Sequence, residues 1–170
     1  MELKMIIRNE TISDIAAINE VTIAAFKNLA ISNHTEQFII KALRKANALT
    51  ISLVAEIDGQ VVGHIAFSPV TISDGATGWY GLGPVSVLPE YQKKGIGKSL
   101  ISEGLSLLKK LGGQGCVLVG HPDYYKRLGF RNFPELVCEG VPQEVFFALP
   151  FTEKVPKGIV LFHEGFFAKG

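Results

Sequence analysis

An apolar run from Leu82 to Leu88 leads into Gln92-Lys93-Lys94-Gly95-Ile96-Gly97-Lys98-Ser99, where a long helical pattern opens. A strand that turns through glycines into a helix leaves several backbone N–H groups unpaired at one point, because the first helical turn has no internal acceptors for them. The helix dipole adds partial positive charge at the same end, so the turn suits a phosphate. Gly95 and Gly97 carry no Cβ and let a diphosphate approach the main chain closely. Lys93, Lys94 and Lys98 add positive charge around that spot. These residues predict a site for a phosphorylated ligand, against the plainer reading of a glycine-bearing helix start with solvated lysines. Two commoner phosphate motifs fit poorly. A P-loop needs G-x-x-x-x-G-K-[ST], and Gly95 has no glycine partner at that spacing; a dinucleotide fingerprint needs a third glycine, in the turn after the first strand.

Strands and amphipathic helices surround this junction. Leu3 to Arg8 alternates well enough for a first strand. Thr11-Ile12-Ser13-Asp14 reads as a capping box, and Ile15, Ile18, Thr22, Ala25 and Phe26 follow at helical spacing. After a linker over 28–33 with no strong pattern, Asn33-His34-Thr35-Glu36 restarts a helix whose stripe is Phe38, Ile39, Ala42 and Leu43. Ile51, Leu53, Ala55 and Ile57 alternate with Ser52, Val54 and Glu56, and Asp58-Gly59 predicts a two-residue hairpin turn into a strand from Val61 to Ile72.

A turn-rich loop over 73–78 leads to a strand from Trp79 to Leu88, interrupted by Gly83-Pro84. Proline cannot donate to a ladder, so this pair marks a bulge or a local break in pairing. The helix after the loop carries Ile96, Leu100, Ile101, Leu105 and Leu108 on one face and stops at Gly112-Gly113. Gly115 to Gly120, around the wholly apolar Cys116-Val117-Leu118-Val119, suits a parallel strand covered on both faces. Pro122 suits the first turn of a short helix, and two last strands are predicted over 144–149 and 159–163.

Bulk properties restrict the partners. A chain of 170 residues has the size of one domain, and no repeat, low-complexity tract or linker divides it, so 1–170 is read as a single domain. Seventeen basic against sixteen acidic residues give a net charge of +1, which argues against a general nucleic-acid binder. No apolar run reaches the roughly 18 residues that span a bilayer. Met1-Glu2-Leu3-Lys4-Met5 holds no apolar core of secretion-signal length, so a cytoplasmic protein is expected. Cys116 and Cys138 have no metal-ligand spacing and read as buried free thiols; no metal is expected.

Gln92-x-x-Gly95-x-Gly97, after Val85-Ser86-Val87-x-Pro89, resembles the Q/R-x-x-G-x-G/A acetyl-CoA motif of the GNAT N-acetyltransferase superfamily. Tyr125-Lys126-Arg127-Leu128-Gly129-Phe130 is similar to that superfamily's Y-x-x-x-G-F segment. The context from Leu82-Gly83-Pro84-Val85 to Gly120-His121-Pro122-Asp123-Tyr124-Tyr125 resembles its bacterial YhbS-like subgroup. The likeness implies an α/β (α+β) GNAT fold: a mixed central sheet of about seven strands, flanked by about four helices, with a splayed parallel strand pair that binds acetyl-CoA. It implies acetyl-CoA as acyl donor and a primary amine as acceptor, with no nucleic acid, no membrane, and a homodimer left open. Small amines, antibiotics, peptide N-termini and protein lysines all stay open as acceptors.

The resemblance also distributes roles. The cofactor site implied is Val85, Ser86 and Val87 with Gln92, Lys93, Lys94, Gly95, Ile96, Gly97, Lys98 and Ser99. Backbone N–H groups of Val85 and Val87 would bind the thioester carbonyl and the pantetheine amides. Tyr125 is the implied catalytic acid facing the CoA sulfur, its phenol protonated at neutral pH by virtue of a pKa near 10. Tyr124 would point into packing or to the cofactor's edge, and Lys126 and Arg127 flank the nucleotide end or stay solvated. Members of the superfamily often take a general base from the strand before the phosphate loop, but Trp79 to Leu88 contains no acid, and Glu90 lies beyond it. His64 and His121 are weak candidates, and the base is left unassigned. Two other readings compete: a non-catalytic acyl-CoA sensor on the same fold, and a nucleotide- or phosphate-binding module unrelated to acyl transfer.

Overall fold

The computed structural model describes residues 4–30 and 32–170. Among the described residues the strands are β1 (Met5–Asn9), β2 (Ile51–Ile57), β3 (Gln60–Pro69), β4 (Thr71–Ile72), β5 (Trp79–Val87), β6 (Gly115–Val119), β7 (Leu136–Val137), β8 (Phe146–Pro150) and β9 (Gly158–Leu161). The α-helices are α1 (Ile15–Phe26), α2 (Glu36–Lys45), α3 (Ile96–Lys110) and α4 (Pro122–Lys126). A six-stranded sheet runs β1-β2-β3-β5-β6-β8, and a three-stranded sheet runs β4-β9-β7. The central sheet is mixed, with β5 and β6 parallel and its other neighbours antiparallel.

The first strand begins at Met5; Leu3 of the expected span, and Ile31 of the linker, lie outside the described residues. Asp58 and Gly59 both have positive φ, 51° and 80°, as a two-residue turn matching the twist of β2 and β3 requires. The expected strand from Val61 to Ile72 is not one strand. It breaks after Pro69, and Thr71–Ile72 pairs with Leu161 and Val160 in the small sheet. Proline has no N–H to continue a ladder, so the chain changes sheet there. Leu136–Val137 forms a strand that periodicity did not suggest, because two residues are too short to alternate. The last strand stops at Leu161 rather than His163.

Each sheet face is buried under a different layer. Leu53, Ile65, Phe67, Leu82, Leu118 and Phe147 pack with Ile96, Leu100, Ile101 and Leu108 of α3. On the opposite face Val54 meets Ile18 of α1 and Ile40 of α2. Of the predicted α1 stripe, Ile18 and Thr22 are buried with Val21, while Ile15, Ala25 and Phe26 are half-buried.

One close approach fixes how α3 sits. A Cβ on Gly104 would stand 2.2 Å from the ring of Phe67, which has no exposed surface. Gly104→Ala is therefore expected to destabilise the protein by about 2 kcal/mol net, overpacking outweighing the better helix propensity. A thermal melt reads this as a fall of roughly 4–8 °C; an unchanged melt would mean that α3 shifts freely.

The N-terminal segment is tied by a buried carboxylate. Asp14 receives Arg8 Nη1 on Oδ2 at 2.7 Å and Nη2 on Oδ1 at 3.0 Å, while the Thr11 N–H donates to Oδ2 at 2.7 Å. The Arg8 guanidinium holds this carboxyl well below the usual carboxylate range, against the opposing effect of burial. A depressed folded-state pKa contributes stability above the ordinary carboxyl value, near 4, and loses it as pH falls toward the folded value. Asp14→Asn should cost about 2 kcal/mol at neutral pH. Denaturant melts of parent and variant should converge as pH falls from about 5 toward about 2.

Candidate active site

The central sheet opens along the C-terminal half of β5. Its parallel pairing with β6 covers only Trp79–Gly81 against Gly115–Val117. Beyond that point β5 stays on β3 as far as Val87 opposite Gly63, and β6 stays on β8 as far as Val119 opposite Phe146. The two parallel strands therefore diverge. Gly83-Pro84 accompanies the opening: Ile65 pairs with Val85 but Phe67 with Leu82, so β5 carries an extra residue there. This is the bulge that the proline predicted.

The free edge of β5 has a defined polarity. Leu88 N–H donates to Val62 O on β3 at 2.9 Å. Backbone groups alternate along a strand, so Ser86 also faces β3, and the N–H groups of Val85 and Val87 point into the gap. Val85 and Val87 are half-buried, and Ser86 is buried with its side chain toward α1 and α2.

At the end of this edge the chain turns into α3. Gly95 is the N-cap with φ 84°, a left-handed conformation that costs glycine nothing, and Lys93 has φ 64°. No side chain caps the helix, and its first internal bond is Ser99 N–H to Gly95 O at 3.0 Å. The amides of Ile96, Gly97 and Lys98 thus have no helical acceptor. The side chain of Ile96 is buried in the core, so it offers only its amide. Gln92 fastens the loop to β5: its Nε2 donates to Val87 O at 2.9 Å. Lys93, Lys94 and Lys98 are exposed, Ser99 is half-buried, and Lys94 Nζ lies 5.5 Å from the Tyr91 ring centroid.

The short helix α4 forms the opposite wall. His121 caps it, Nδ1 accepting from Asp123 N–H at 3.3 Å, which gives that imidazole a structural task. A Cβ on Gly97 would stand 3.7 Å from Tyr124 Oη and 3.9 Å from Val87 Cγ2. That contact brings the α3 turn, the end of β5 and α4 to one place. Tyr125 lies edge-on to Tyr124 at 4.9 Å between centroids, its ring against Gly120 and edge-on to Phe130 at 5.9 Å. Burial pushes its phenol up to about 12, with Tyr124 and Cys116 adding to the effect. Its hydroxyl has no protein hydrogen-bond partner among the described residues. Lys126, Arg127 and Glu90 are exposed.

His64 is fully buried, and burial pushes its imidazole down to about 4, so it is neutral at ordinary pH. Its Nε2 lies 2.8 Å from Ser52 Oγ, and the Ser52 hydroxyl donates to Glu10. Sequence reasoning passed over Glu10, Ser52 and Arg44: the alternation of β2 put Ser52 on the polar face of the strand, a face the structure buries as well. Cys116 is buried and pushed up by that burial, Cys138 is half-buried, and both are free thiols. No cluster of three His, Cys, Asp or Glu that could hold a metal occurs among the described residues. Among them also, no helix is long and apolar enough to cross a membrane.

Known proteins resemble this chain in sequence and fold. Residues 49–132 match the family described as the acetyltransferase (GNAT) domain. The chain is 35% identical over 128 residues to the uncharacterised N-acetyltransferase YhbS of Escherichia coli, covering 75% of this chain and 74% of that one. A GNAT-family acetyltransferase from Brucella melitensis, solved with acetyl-CoA, has 51% identity and a TM-score of 0.86 over 96% of this chain and 98% of that one. The Escherichia coli YhbS structure, solved with CoA, has 30% identity and a TM-score of 0.90 over 100% of this chain and 96% of that one.

Proposed function

The chain belongs to the GNAT acetyltransferase family, and from that premise we propose that it is an N-acetyltransferase moving an acetyl group from acetyl-CoA to a primary amine. The observation that carries this reading is the convergence of three features on one cleft: the free edge of β5, the uncapped start of α3, and the tyrosines of α4. The diphosphate of acetyl-CoA rests on the amides of Ile96, Gly97 and Lys98, with the three lysines around it. The pantetheine arm adds to β5 as a strand would. The Val85 and Val87 N–H groups hold its amide and the thioester carbonyl.

The chemistry follows from those positions. The neutral amine attacks the thioester carbon, and negative charge develops on the carbonyl oxygen. An N–H aimed there is worth about 3 kcal/mol in the transition state. The C–S bond then breaks, the sulfur takes a proton from the Tyr125 hydroxyl, the amine nitrogen gives one up to water, and the phenolate regains one from solvent. We assign the whole chain to this single domain, and its two free thiols suit a reducing cytoplasm.

Calorimetric titration with acetyl-CoA, followed by a screen of primary amines that detects free thiol, tests the proposal. Binding with thiol release above the amine-free rate is the expected result. A second reading, a CoA-binding regulatory module, draws support from the absence of any carboxylate on β5. Acetyl-CoA binding without turnover across the panel would favour that reading. Affinity for ATP and none for CoA would remove both.

A further inference from the structure

Helices α1 and α2 cross the sheet in opposite directions and part on their outer side. Glu10, just before α1, takes Arg44 Nε on Oε2 at 3.1 Å and Arg44 Nη2 on Oε1 at 2.9 Å, which ties the start of α1 to the end of α2. Ile18 and Ile40 meet over Val54 of β2 and close the space between the helices from below. Above them lies an open groove of about 600 Å³, with Ile15 on its α1 wall and Lys41, Arg44 and Lys45 on its α2 wall. Pockets of roughly 300–1,000 Å³ are of the size that holds small molecules. The core of α3 packs on the opposite face of the sheet, so this groove is separate from the cleft described above.

Two features of the groove point to an anion with an apolar tail. The first is α1 itself. Its 12 residues include one charged side chain, Glu20, yet only Ile18, Val21 and Thr22 are buried. A surface helix turns a polar face outward, whereas this one leaves Ile15 half-buried and Ala16 exposed along the groove. The second feature is the facing wall. Lys41 and Lys45 stand four residues apart, so their like charges repel along one face of α2. Neither makes an ion pair among the described residues, and Arg44 Nη1 donates to no acceptor among them. No acidic residue among them lines the groove. Arg44 and Lys45 also offset the dipole at the end of α2, but Lys41 lies a turn earlier, where that reason does not reach.

We propose that the groove binds an amphipathic carboxylate, a straight-chain fatty acid of medium length. The hydrocarbon tail lies on Ile15 and on the floor of Ile18 and Ile40, with the methylene stems of the lysines beside it. The head group sits between the Lys41 and Lys45 ammonium groups, where it relieves their repulsion, and Arg44 Nη1 is a further donor. An ammonium head on the same tail would meet three cations instead, so charge sets the selectivity. The inference stands apart from the N-acetyltransferase reading, because no residue of the cleft takes part in it.

Calorimetry on the full chain with decanoate, hexanoate and decylammonium tests the assignment. Decanoate should bind with a Kd of about 100 μM, and decylammonium should not bind. Hexanoate should bind roughly tenfold more weakly than decanoate, because each methylene partly buried in an open groove contributes about twofold. The Lys41→Gln/Lys45→Gln double variant should weaken decanoate binding about tenfold. Ala16→Trp, at an exposed helix position, should fill the groove and abolish that binding. Both variants should melt close to parent in the absence of decanoate. Decanoate affinity unchanged in either variant would place the ligand elsewhere and overturn the proposal. The parent alone also decides: no heat with decanoate at about 1 mM, or decylammonium binding as tightly as decanoate, would overturn it.

Discussion

Gly97→Asp should nearly abolish acetyl-CoA binding while leaving the fold intact or slightly firmer. The substitution separates two effects of opposite sign. A Cβ at Gly97 meets only Tyr124 Oη at 3.7 Å and Val87 Cγ2 at 3.9 Å, ordinary contact distances, so nothing has to move. Leaving glycine within a helix and placing a carboxylate in its first turn each favour folding by about 0.5–1 kcal/mol. A bound diphosphate would meet that carboxylate at close range. At an effective dielectric near 20, two like charges about 4 Å apart repel by about 4 kcal/mol. Even partial screening leaves a loss of two orders of magnitude or more in affinity. Calorimetry with acetyl-CoA and a thermal melt on the same sample read both effects. Unchanged affinity would move the cofactor away from the start of α3. A collapsed melt would mean that the glycine serves packing instead.

Tyr125→Phe should lower kcat by about 100-fold, with Kd for acetyl-CoA within a factor of about two. The ring keeps its contacts with Gly120 and Phe130, so only the hydroxyl is lost. With its phenol pushed up to about 12, the parent holds the proton through the whole neutral range and can deliver it to the departing sulfur. Folding raises this pKa above the ordinary value, near 10, so deprotonation, and any loss of activity it causes, comes only at strongly alkaline pH. Rate assays with the best amine from the screen decide the matter. Equal rates for the two proteins would take the tyrosine out of the mechanism. A loss confined to binding would make it a wall of the cleft.

Much of the architecture is local and was readable as such. The Asp58-Gly59 turn, the bulge at Gly83-Pro84 and the helix from Ile96 to Lys110 each depend on residues within a few positions of one another. The break after Pro69 was missed because Thr71–Ile72 finds its partners about 90 residues away, at Val160 and Leu161. The network around His64 was missed for the same reason: Glu10, Arg44, Ser52 and His64 lie on four separate elements or connections. A lone histidine in an apolar strand carries no local sign of what it will face.

Residue order alone dictates a glycine turn that ends a strand, starts a helix and leaves donors free, because φ preference and helix-end hydrogen bonding act over a few residues. Where β5 leaves β6, which tyrosine turns toward Gly97, and which groups His64 meets follow from packing between distant segments. No local rule encodes those contacts; they exist only once the sheet has closed against its helices.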